Sequence, residues 1–185
     1  GLTYNYAAKQ VNEQILSVMQ ELADEAQLTE KFTALYEGEV INTGEKRKVL
    51  HHLLRSRLGK DVFYDTSAGT KNARDFYESQ RKAIAAFARS VHSGKITNEK
   101  GEPFTTVVQI GIGGSDLGPR ALYLALEEWA KAHGTKKADA YFISNVDPDD
   151  ASHVLTSCVK DLSRTLFILV SKSGTTQETL ANELL

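Results

Sequence analysis

The segment richest in side chains that could bind a ligand lies at residues 171–179, where the sequence reads Ser-Lys-Ser-Gly-Thr-Thr-Gln-Glu-Thr. Seven of these nine residues carry a hydroxyl group or a charge, namely five Ser or Thr residues, Lys172 and Glu178. A phosphate monoester dianion requires many hydrogen-bond donors around three oxygens, and hydroxyls together with the free N–H groups of a helix start supply them. Charge-assisted hydrogen bonds contribute about 1.5–3 kcal/mol each. Roughly four of them, less the cost of ordering on binding, predict a dissociation constant in the micromolar to millimolar range, which is typical for a metabolite. The alternative interpretation is a well-capped helix start, with Ser173 or Thr175 as the cap.

A second loop that could contact a ligand lies at residues 111–119 and reads Gly-Ile-Gly-Gly-Ser-Asp-Leu-Gly-Pro. Its glycines allow the backbone to approach a ligand closely. The pattern fails as a dinucleotide fingerprint, because Asp116 stands where the third glycine belongs, and it fails as a P-loop, because Pro119 and Arg120 stand where Lys and Ser or Thr belong. The sequence therefore favours neither NAD nor ATP, and we predict no cofactor. The alternative is a tight strand-to-helix turn with Pro119 in the first helical turn.

Both loops follow predicted strands of one parallel sheet, so we expect them to open at the same carboxyl edge, where open α/β sheets bind ligands. A third strand end, at residues 144–149, offers further polar groups beside them. Its favoured interpretation is a turn and helix N-cap before Asp150, with ligand contact as the alternative.

The elements that must position these loops begin after residue 103. Short apolar runs at 105–110, 138–144 and 165–170 alternate with helical patterns near 117–133, at 150–159 and from 175 onward. This alternation predicts βαβ units in a parallel, doubly wound sheet. The run at 166–170 is apolar throughout, which is typical of a strand buried on both faces. Because three strands are few for such a sheet, we expect the domain to be partial and its sequence to continue.

The first hundred residues are predicted to be mostly helical, with a short extended segment at 61–64. The sequence thus divides into a helical amino-terminal region at 1–100 and an α/β domain at 101–185 that is truncated at its carboxyl end. Apolar residues recur at helical spacing in three stretches: Val11, Ile15, Val18 and Leu22; then Val49, Leu50, Leu53, Leu54 and Leu58; then Phe76, Tyr77, Ile84, Phe87 and Val91.

Composition excludes some classes of partner. A formal net charge of −2 and a pI near 6.2 argue against a broad nucleic-acid-binding surface. The one cysteine, Cys158, has no partner for an internal disulfide and no companion at metal-ligand spacing. Residues 1–10 lack the features of a secretory signal, and no stretch has the length and hydrophobicity of a membrane span. We therefore predict a cytoplasmic protein with no bound metal. The absence of an initial Met and the helical pattern that runs into the last residue suggest a piece of a longer chain.

The two loops resemble, almost letter for letter, the two motifs of the glucose-6-phosphate isomerase family. The segment at 41–51, Ile-Asn-Thr-Gly-Glu-Lys-Arg-Lys-Val-Leu-His, is similar to a third family motif. It departs from the family pattern at Gly44, where Thr is common, and at Lys48, where Ala is common. The resemblance extends from about residue 35 to the end, and the second loop is its most specific part.

The resemblance implies a sugar-isomerase (SIS) domain that holds the phosphate of glucose 6-phosphate or fructose 6-phosphate, in an enzyme of glycolysis and gluconeogenesis. The family's base is a glutamate with His, Lys and Arg around it, all carried by sequence beyond residue 185, so we expect this segment alone to be inactive. The full-length protein is expected to be a homodimer. By position, the residues implied in substrate binding are the hydroxyls of Ser171, Ser173 and Thr176, the backbone of Lys172, Gly114 and Ser115 on the sugar side, and, as a further candidate, Thr179.

Other residues that can act as acids or bases have simpler interpretations. His51 and His52 lie side by side on a predicted helix, where surface exposure or helix packing explains them. Glu178 lies within the phosphate motif, where a structural role is favoured over that of a base.

Two rival functions stay open at the level of sequence. One is a non-catalytic SIS module that senses sugar phosphates, but a regulator of this kind carries a DNA-binding element, and the first hundred residues offer no convincing recognition helix with a basic face. The other is a structural α/β fragment whose loops bind nothing.

Overall fold

The computed structural model describes residues 3–55 and 58–184. The chain forms two compact units, one ending at Ala83 and the other beginning at Ile84. The long helix α3 (Ala73–His92) begins in the first unit and ends in the second. Each unit is described by itself.

The first unit is partly helical, less so than the mostly helical region predicted, and it contains a small hairpin that the sequence shows only in part. It contains α1 (Glu13–Glu25) and α2 (Leu28–Tyr36), followed by the antiparallel strands β1 (Phe63–Thr66) and β2 (Gly69–Asn72). The predicted extended segment at 61–64 thus overlaps β1 by two residues. The start of α1 is capped by Asn12, whose Oδ1 accepts a hydrogen bond from the Ile15 N–H at 2.9 Å.

The predicted helix through residues 49–58 is wrong in extent, since the only helical residues described there form a 3₁₀ turn at His51–Leu54. Leu53 is buried with Val62 and Ala73, so this turn packs on the hairpin through one side chain rather than through a helical stripe. After this turn, the Arg74 Nη2 atom donates to the backbone oxygens of residues 58, 59 and 60 at 3.0, 2.9 and 3.2 Å. Those carbonyls are directed at a side chain instead of at a following helical turn.

The second unit contains the predicted parallel sheet, and the α/β fold class is confirmed. Strands β3 (Thr106–Ile110), β4 (Asp139–Ile143) and β5 (Thr165–Leu169) lie in the order β4-β3-β5, and both pairings are parallel. Each strand agrees with its predicted bounds within one residue. The helices that follow them are α4 (Gly114–Ala132), α5 (Pro148–His153), which continues as a π-helical turn at Val154–Cys158, and α6 (Gln177–Glu183).

The core of this unit forms where the central strand meets β4 and the helix after it. Val108 and Ile143 are almost fully buried, and they pack with Ile110, Ala151, Val154 and Val159. Strand β5 differs from expectation: Phe167, Ile168 and Leu169 are each about 40% exposed. The reason is topological, because among the described strands β5 lies at the edge of the sheet and only β3 has a neighbour on both sides.

Candidate functional site

The loops that follow β3, β4 and β5 open at one edge of the sheet, because the three strands are parallel. The ends of the strands are joined by hydrogen bonds: the Gly111 N–H donates to the Ile143 oxygen at 3.2 Å, and the Val170 N–H donates to the Ile110 oxygen at 2.9 Å. The predicted placement of both polar loops at the same carboxyl edge is therefore confirmed.

Gly111, the first residue of the first loop, packs against Ser115 and against Val170, the residue that precedes the second loop. A Cβ atom added there would lie 3.0 Å from the Ser115 oxygen, 3.1 Å from the Ser115 Cβ and 3.2 Å from the Val170 oxygen. Two of these three neighbours are backbone atoms, which cannot move aside as a flexible side chain can. A glycine is thus required for the two loops to approach each other as they do.

The first loop is shorter than the sequence suggests, because helix α4 begins at Gly114 rather than near residue 117. Gly113 precedes the helix with φ +58°, a left-handed value that favours glycine. Ser115 consequently lies in the first helical turn, and Pro119 lies in the second turn rather than in the first. Gly114 is exposed and Ser115 is half-buried.

The proline in α4 leaves one carbonyl to be satisfied by a side chain from the sheet. Pro119 has no N–H to donate to the Ser115 oxygen four residues earlier. The Gln109 Nε2 atom, from strand β3, donates to that oxygen at 2.9 Å instead. Gln109 therefore holds the first loop, and sequence reasoning missed it; the available signal was an amide side chain inside an otherwise apolar strand.

The start of α4 is also held by an ion pair whose carboxylate is buried and whose guanidinium is half-buried. Asp116 is only 3% exposed, and the Arg120 Nε atom donates to its carboxylate at 3.0 Å. The Arg120 guanidinium lies 5.0 Å from the centre of the Phe142 ring on β4, within the range of a cation–π contact. Sequence analysis noted Asp116 and Arg120 only as residues that break known motifs.

The second loop is closed by hydrogen bonds among its own hydroxyls. The Ser171 Oγ and Thr176 Oγ1 atoms lie 2.9 Å apart, and the Gly174 N–H donates to Ser171 Oγ at 3.0 Å. The Thr175 N–H and its hydroxyl donate to Ser173 Oγ at 3.1 and 3.0 Å. The loop therefore presents two hydrogen-bonded pairs of hydroxyls, Ser171 with Thr176 and Ser173 with Thr175, around a turn with Gly174 at φ +73°, and these four hydroxyls are called the hydroxyl ring below.

The capped-helix interpretation of this loop does not fit the geometry. Helix α6 begins at Gln177, and its N-cap Thr176 makes no side-chain capping hydrogen bond. Neither Ser173 nor Thr175 occupies the cap position. The hydroxyl that would cap the helix faces Ser171 instead, so the hydroxyls of the loop are directed toward one another and not toward the helix.

The remaining predicted residues lie beside this ring. Lys172 and Ser173 are exposed, whereas Ser171 and Thr176 are half-buried. Thr179, one turn into α6, is 3% exposed, and its hydroxyl has no hydrogen-bond partner among the described residues. A buried hydroxyl is normally hydrogen-bonded, so Thr179 has donor capacity that the described side chains do not use.

The third loop has a structural role at its start. Asp147 is the N-cap of α5, and its Oδ1 atom accepts from the Asp149 N–H at 3.0 Å. The turn and N-cap interpretation is confirmed, although the helix begins at Pro148 instead of 150. The Asn145 oxygen accepts a hydrogen bond from Asn182 Nδ2, on α6, at 2.8 Å.

The strongest charge interactions lie at the opposite end of the sheet, where β4 begins. Lys136 Nζ donates to Glu127 at 2.9 Å and to Asp139 at 2.5 Å. Hydrogen bonds from Lys136, then Lys131, then Tyr123 lower the pKa of Glu127 to about 2, and Asp139 and Glu127 raise the pKa of Lys136. These groups neutralise one another.

Several other expectations concern residues away from this edge. In the first unit His51 is exposed, and His52 stacks on the Tyr36 ring at 4.5 Å between centroids, which confirms the packing interpretation for His52. Glu178 is exposed in the first turn of α6. Within residues 3–55 and 58–184, no cluster of three or more His, Cys, Asp or Glu residues is arranged to hold a metal ion. In the same ranges no helix combines the length and hydrophobicity needed to cross a membrane.

The parallel sheet, with hydroxyl-rich and glycine-rich loops at its carboxyl edge, places the chain in the α/β class, whose open sheets bind ligands at that edge. The chain belongs to the phosphoglucose isomerase family, whose family model matches residues 5–184. The resemblance that the loop motifs carry is thereby confirmed.

Curated relatives agree with this assignment. Glucose-6-phosphate isomerase of Treponema denticola is 59% identical over 183 residues, which are 99% of this chain and 33% of that protein. The corresponding protein of Treponema pallidum (strain Nichols) is 56% identical over 184 residues, or 100% of this chain and 34% of the relative. That of Borreliella burgdorferi (strain ZS7) is 51% identical over 179 residues, or 97% and 33%. The chain thus spans about a third of the length of the curated relatives it matches.

Proposed function

We propose that this chain supplies the sugar-phosphate-binding loops of an enzyme that interconverts glucose 6-phosphate and fructose 6-phosphate. Membership of the phosphoglucose isomerase family supports the reaction, and the names of the curated relatives support the substrate. The single observation that carries the binding role is the ring of hydroxyls at the second loop, where Ser171 Oγ and Thr176 Oγ1 lie 2.9 Å apart.

The hydroxyls of Ser171, Ser173 and Thr176 bind the phosphate oxygens in this proposal. Each hydroxyl can both donate and accept, so on binding it exchanges a contact within the loop for one to a phosphate oxygen. The exchange costs little, because the contacts described for these hydroxyls are to other hydroxyls and to backbone N–H groups of the same loop. The backbone of Lys172 adds a donor.

The residues of the sugar side and the helix complete the proposed set. Gly114 and Ser115 line the sugar side, and the closeness of Gly111 to both Ser115 and Val170 supports a shared site. Thr179 adds the hydroxyl whose donor capacity is unused among the described residues. A role for all of these is proposed from the family motifs and from their position at one edge of the sheet.

The chemical step requires a base that moves a proton between C2 and C1 through a cis-enediol, with groups that open the ring and stabilise the oxyanion. We propose that these groups lie outside the present 185 residues, so that the chain binds the substrate but does not convert it. The phosphate is remote from the reacting carbons, and its binding energy is used to position them. Weaker binding of the phosphate therefore lowers turnover as well as affinity.

The setting of the enzyme is part of the same proposal. We infer a homodimeric, cytoplasmic enzyme of glycolysis and gluconeogenesis, acting without a cofactor and binding no nucleic acid. The single cysteine and the family support this setting. The proposed domain division remains a helical region at 1–100 followed by the first SIS-type domain at 101–185.

An amide-shift titration tests the binding role. Glucose 6-phosphate added to the isotope-labelled chain should shift the amide signals of residues 171–176 in a saturable manner, while unphosphorylated glucose should leave them unchanged. The variant Ser173→Ala should bind about tenfold more weakly, because one charge-assisted contact contributes about 1.5 kcal/mol or more. Ser152→Ala, which removes an exposed hydroxyl from α5, is the matched control and should bind like the unmodified chain.

Two outcomes would count against the proposal. No response at residues 171–176 up to high millimolar glucose 6-phosphate would favour the structural fragment that binds nothing. Clear isomerase turnover by highly purified chain would show that the base lies within these residues.

A further inference from the structure

Helix α6 is too short to hold its own position. It spans seven residues, Gln177–Glu183, and its N-cap makes no side-chain capping hydrogen bond. Isolated helices of this length are not stable in water, because the few hydrogen bonds they form do not offset the cost of nucleation. The position of α6, and of the second loop that leads into it, must therefore come from contacts with the rest of the unit.

One buried side chain makes such a contact. Asn182 is 6% exposed, and its Nδ2 atom donates to the Asn145 oxygen at 2.8 Å. Asn145 follows β4 whereas α6 follows β5, and β3 lies between these two strands in the sheet. This hydrogen bond thus spans the carboxyl end of the central strand and links the third loop to the helix of the second loop.

The same contact sets how α6 is rotated about its axis. Asn182 and Thr179 are three residues apart, so they lie on one face of the helix, and both are buried. Thr176, a further three residues earlier, is the N-cap whose hydroxyl lies 2.9 Å from Ser171 Oγ. A helix held at Asn182 therefore presents Thr179 and Thr176 in a fixed orientation, and through Thr176 it holds the hydroxyl ring.

We propose that Asn182 is a positioning residue for phosphate binding: its amide holds α6 against the end of β4 and so keeps the hydroxyls of the second loop arranged for the ligand. This inference rests on the proposed function of that loop. The active feature is the N–H donor rather than the bulk of the side chain, because the acceptor is a backbone carbonyl that needs one.

Two substitutions separate the donor from the shape. Asn182→Asp keeps the shape but replaces the donor with an acceptor at neutral pH, whereas Asn182→Gln keeps a donor on a chain one methylene longer. Glu183→Gln, at the exposed neighbouring position, is the control. Inorganic phosphate is titrated into each chain near neutral pH, with the amide signals of residues 171–176 reporting binding and those of β3 reporting the integrity of the sheet.

We expect Asn182→Asp to weaken phosphate binding about 3- to 10-fold, the effect of one lost hydrogen bond, with the β3 signals unchanged. Asn182→Gln should recover most of the affinity, and Glu183→Gln should match the unmodified chain. If the β3 signals disappear in Asn182→Asp, the sheet of that variant is no longer intact and its affinity cannot be interpreted. The Asn182→Gln variant then decides, and a phosphate affinity within about twofold of that of the unmodified chain supports the role of the donor.

Three outcomes overturn the inference. Unchanged affinity in Asn182→Asp shows that the hydrogen bond does not position the loop. Equal weakening in the Asp and Gln variants, with intact β3 signals, shows that packing and not the donor matters. An unmodified chain that binds no phosphate overturns both this inference and the proposed function, whereas the first two outcomes leave the proposed function standing.

Discussion

The two ends of the parallel sheet are built from different chemistry. At the amino end of β4, charged groups from α4 and from the strand satisfy one another: Lys136 binds Glu127 and Asp139, and Tyr123 donates to Glu127 at 3.0 Å. At the carboxyl end, neutral hydroxyls of the second loop bind chiefly one another.

The difference shows why strong electrostatics and a binding site need not coincide. A charge that already has two partners loses both of them when it binds something else, whereas a hydroxyl exchanges one partner for another of the same kind. The pKa shifts of the described groups are largest at the amino end, at Glu127 and Lys136, yet that end offers a ligand little that is not already occupied. Perturbed pKa values occur in structural ion-pair networks as well as in functional sites. Here they identify a structural cluster.

The largest effect that tests this comparison is expected from a substitution at Gly111, which packs against Ser115 and Val170 at the carboxyl end of the sheet. Gly111→Ala places a Cβ atom 3.0–3.2 Å from atoms of Ser115, in the first loop, and of Val170, which leads into the second loop, and overpacking of this kind costs about 1–3 kcal/mol of stability. Binding of glucose 6-phosphate should fall by more than about tenfold, because both loops must move. Urea denaturation and the amide titration measure the two effects.

Gly118→Ala is the matched control for that substitution. A Cβ atom there meets nothing within 4 Å, and the residue lies inside α4. Because alanine is the better helix former, this variant should be more stable by about 0.5–1 kcal/mol and should bind normally. If Gly111→Ala behaved in the same way, the close approach of the loops would have no functional meaning.

A smaller effect is expected from the hydroxyls themselves. Thr176→Ala in a full-length family enzyme that carries this segment should lower kcat/KM roughly tenfold, given about 1.5 kcal/mol for one charge-assisted contact. Thr176→Ser, which keeps the hydroxyl, should retain most of the activity. Unchanged kinetics in Thr176→Ala would show that this residue does not belong to the proposed phosphate-binding set.

The smallest effect belongs to the amino end, and it should appear in stability rather than in binding. The folded-state pKa of Glu127, about 2, lies below its ordinary value of 4.5, so its ionised form stabilises the fold above about pH 4.5, and this stabilisation is lost as the pH falls toward 2. Glu127→Gln should therefore lower the urea midpoint at pH 7, and the gap from the unmodified chain should narrow below pH 4.5. Phosphate binding at pH 7 should be unaffected; a clear loss would show that the two ends of the sheet are coupled.

Sequence reasoning located the strands well and some helix boundaries poorly. The strand bounds agree within one residue because short apolar runs rich in β-branched or aromatic residues, bounded by polar residues, Gly or Pro, have few other interpretations. The start of α4 was missed by three residues, because Gly114, Ser115 and Asp116 have poor helix propensity and only the packed structure extends the helix over them. The helix predicted over 49–58 is reduced to a turn at His51–Leu54, where Leu53 is buried with Val62 and Ala73, and the sequence of the segment alone does not specify that packing.

The sequence by itself determined which chemical groups stand at the carboxyl edge and in what order, because a loop between a strand and a helix carries its own hydroxyls and glycines wherever the strand is placed. Only the tertiary structure decided how those loops are held. The Gln109 bond to Ser115 depends on a carbonyl made vacant by Pro119, and the Asn182 bond to Asn145 joins residues 37 apart in sequence. Such partners are chosen by the packing of helices on the sheet, and no local pattern of residue types specifies them.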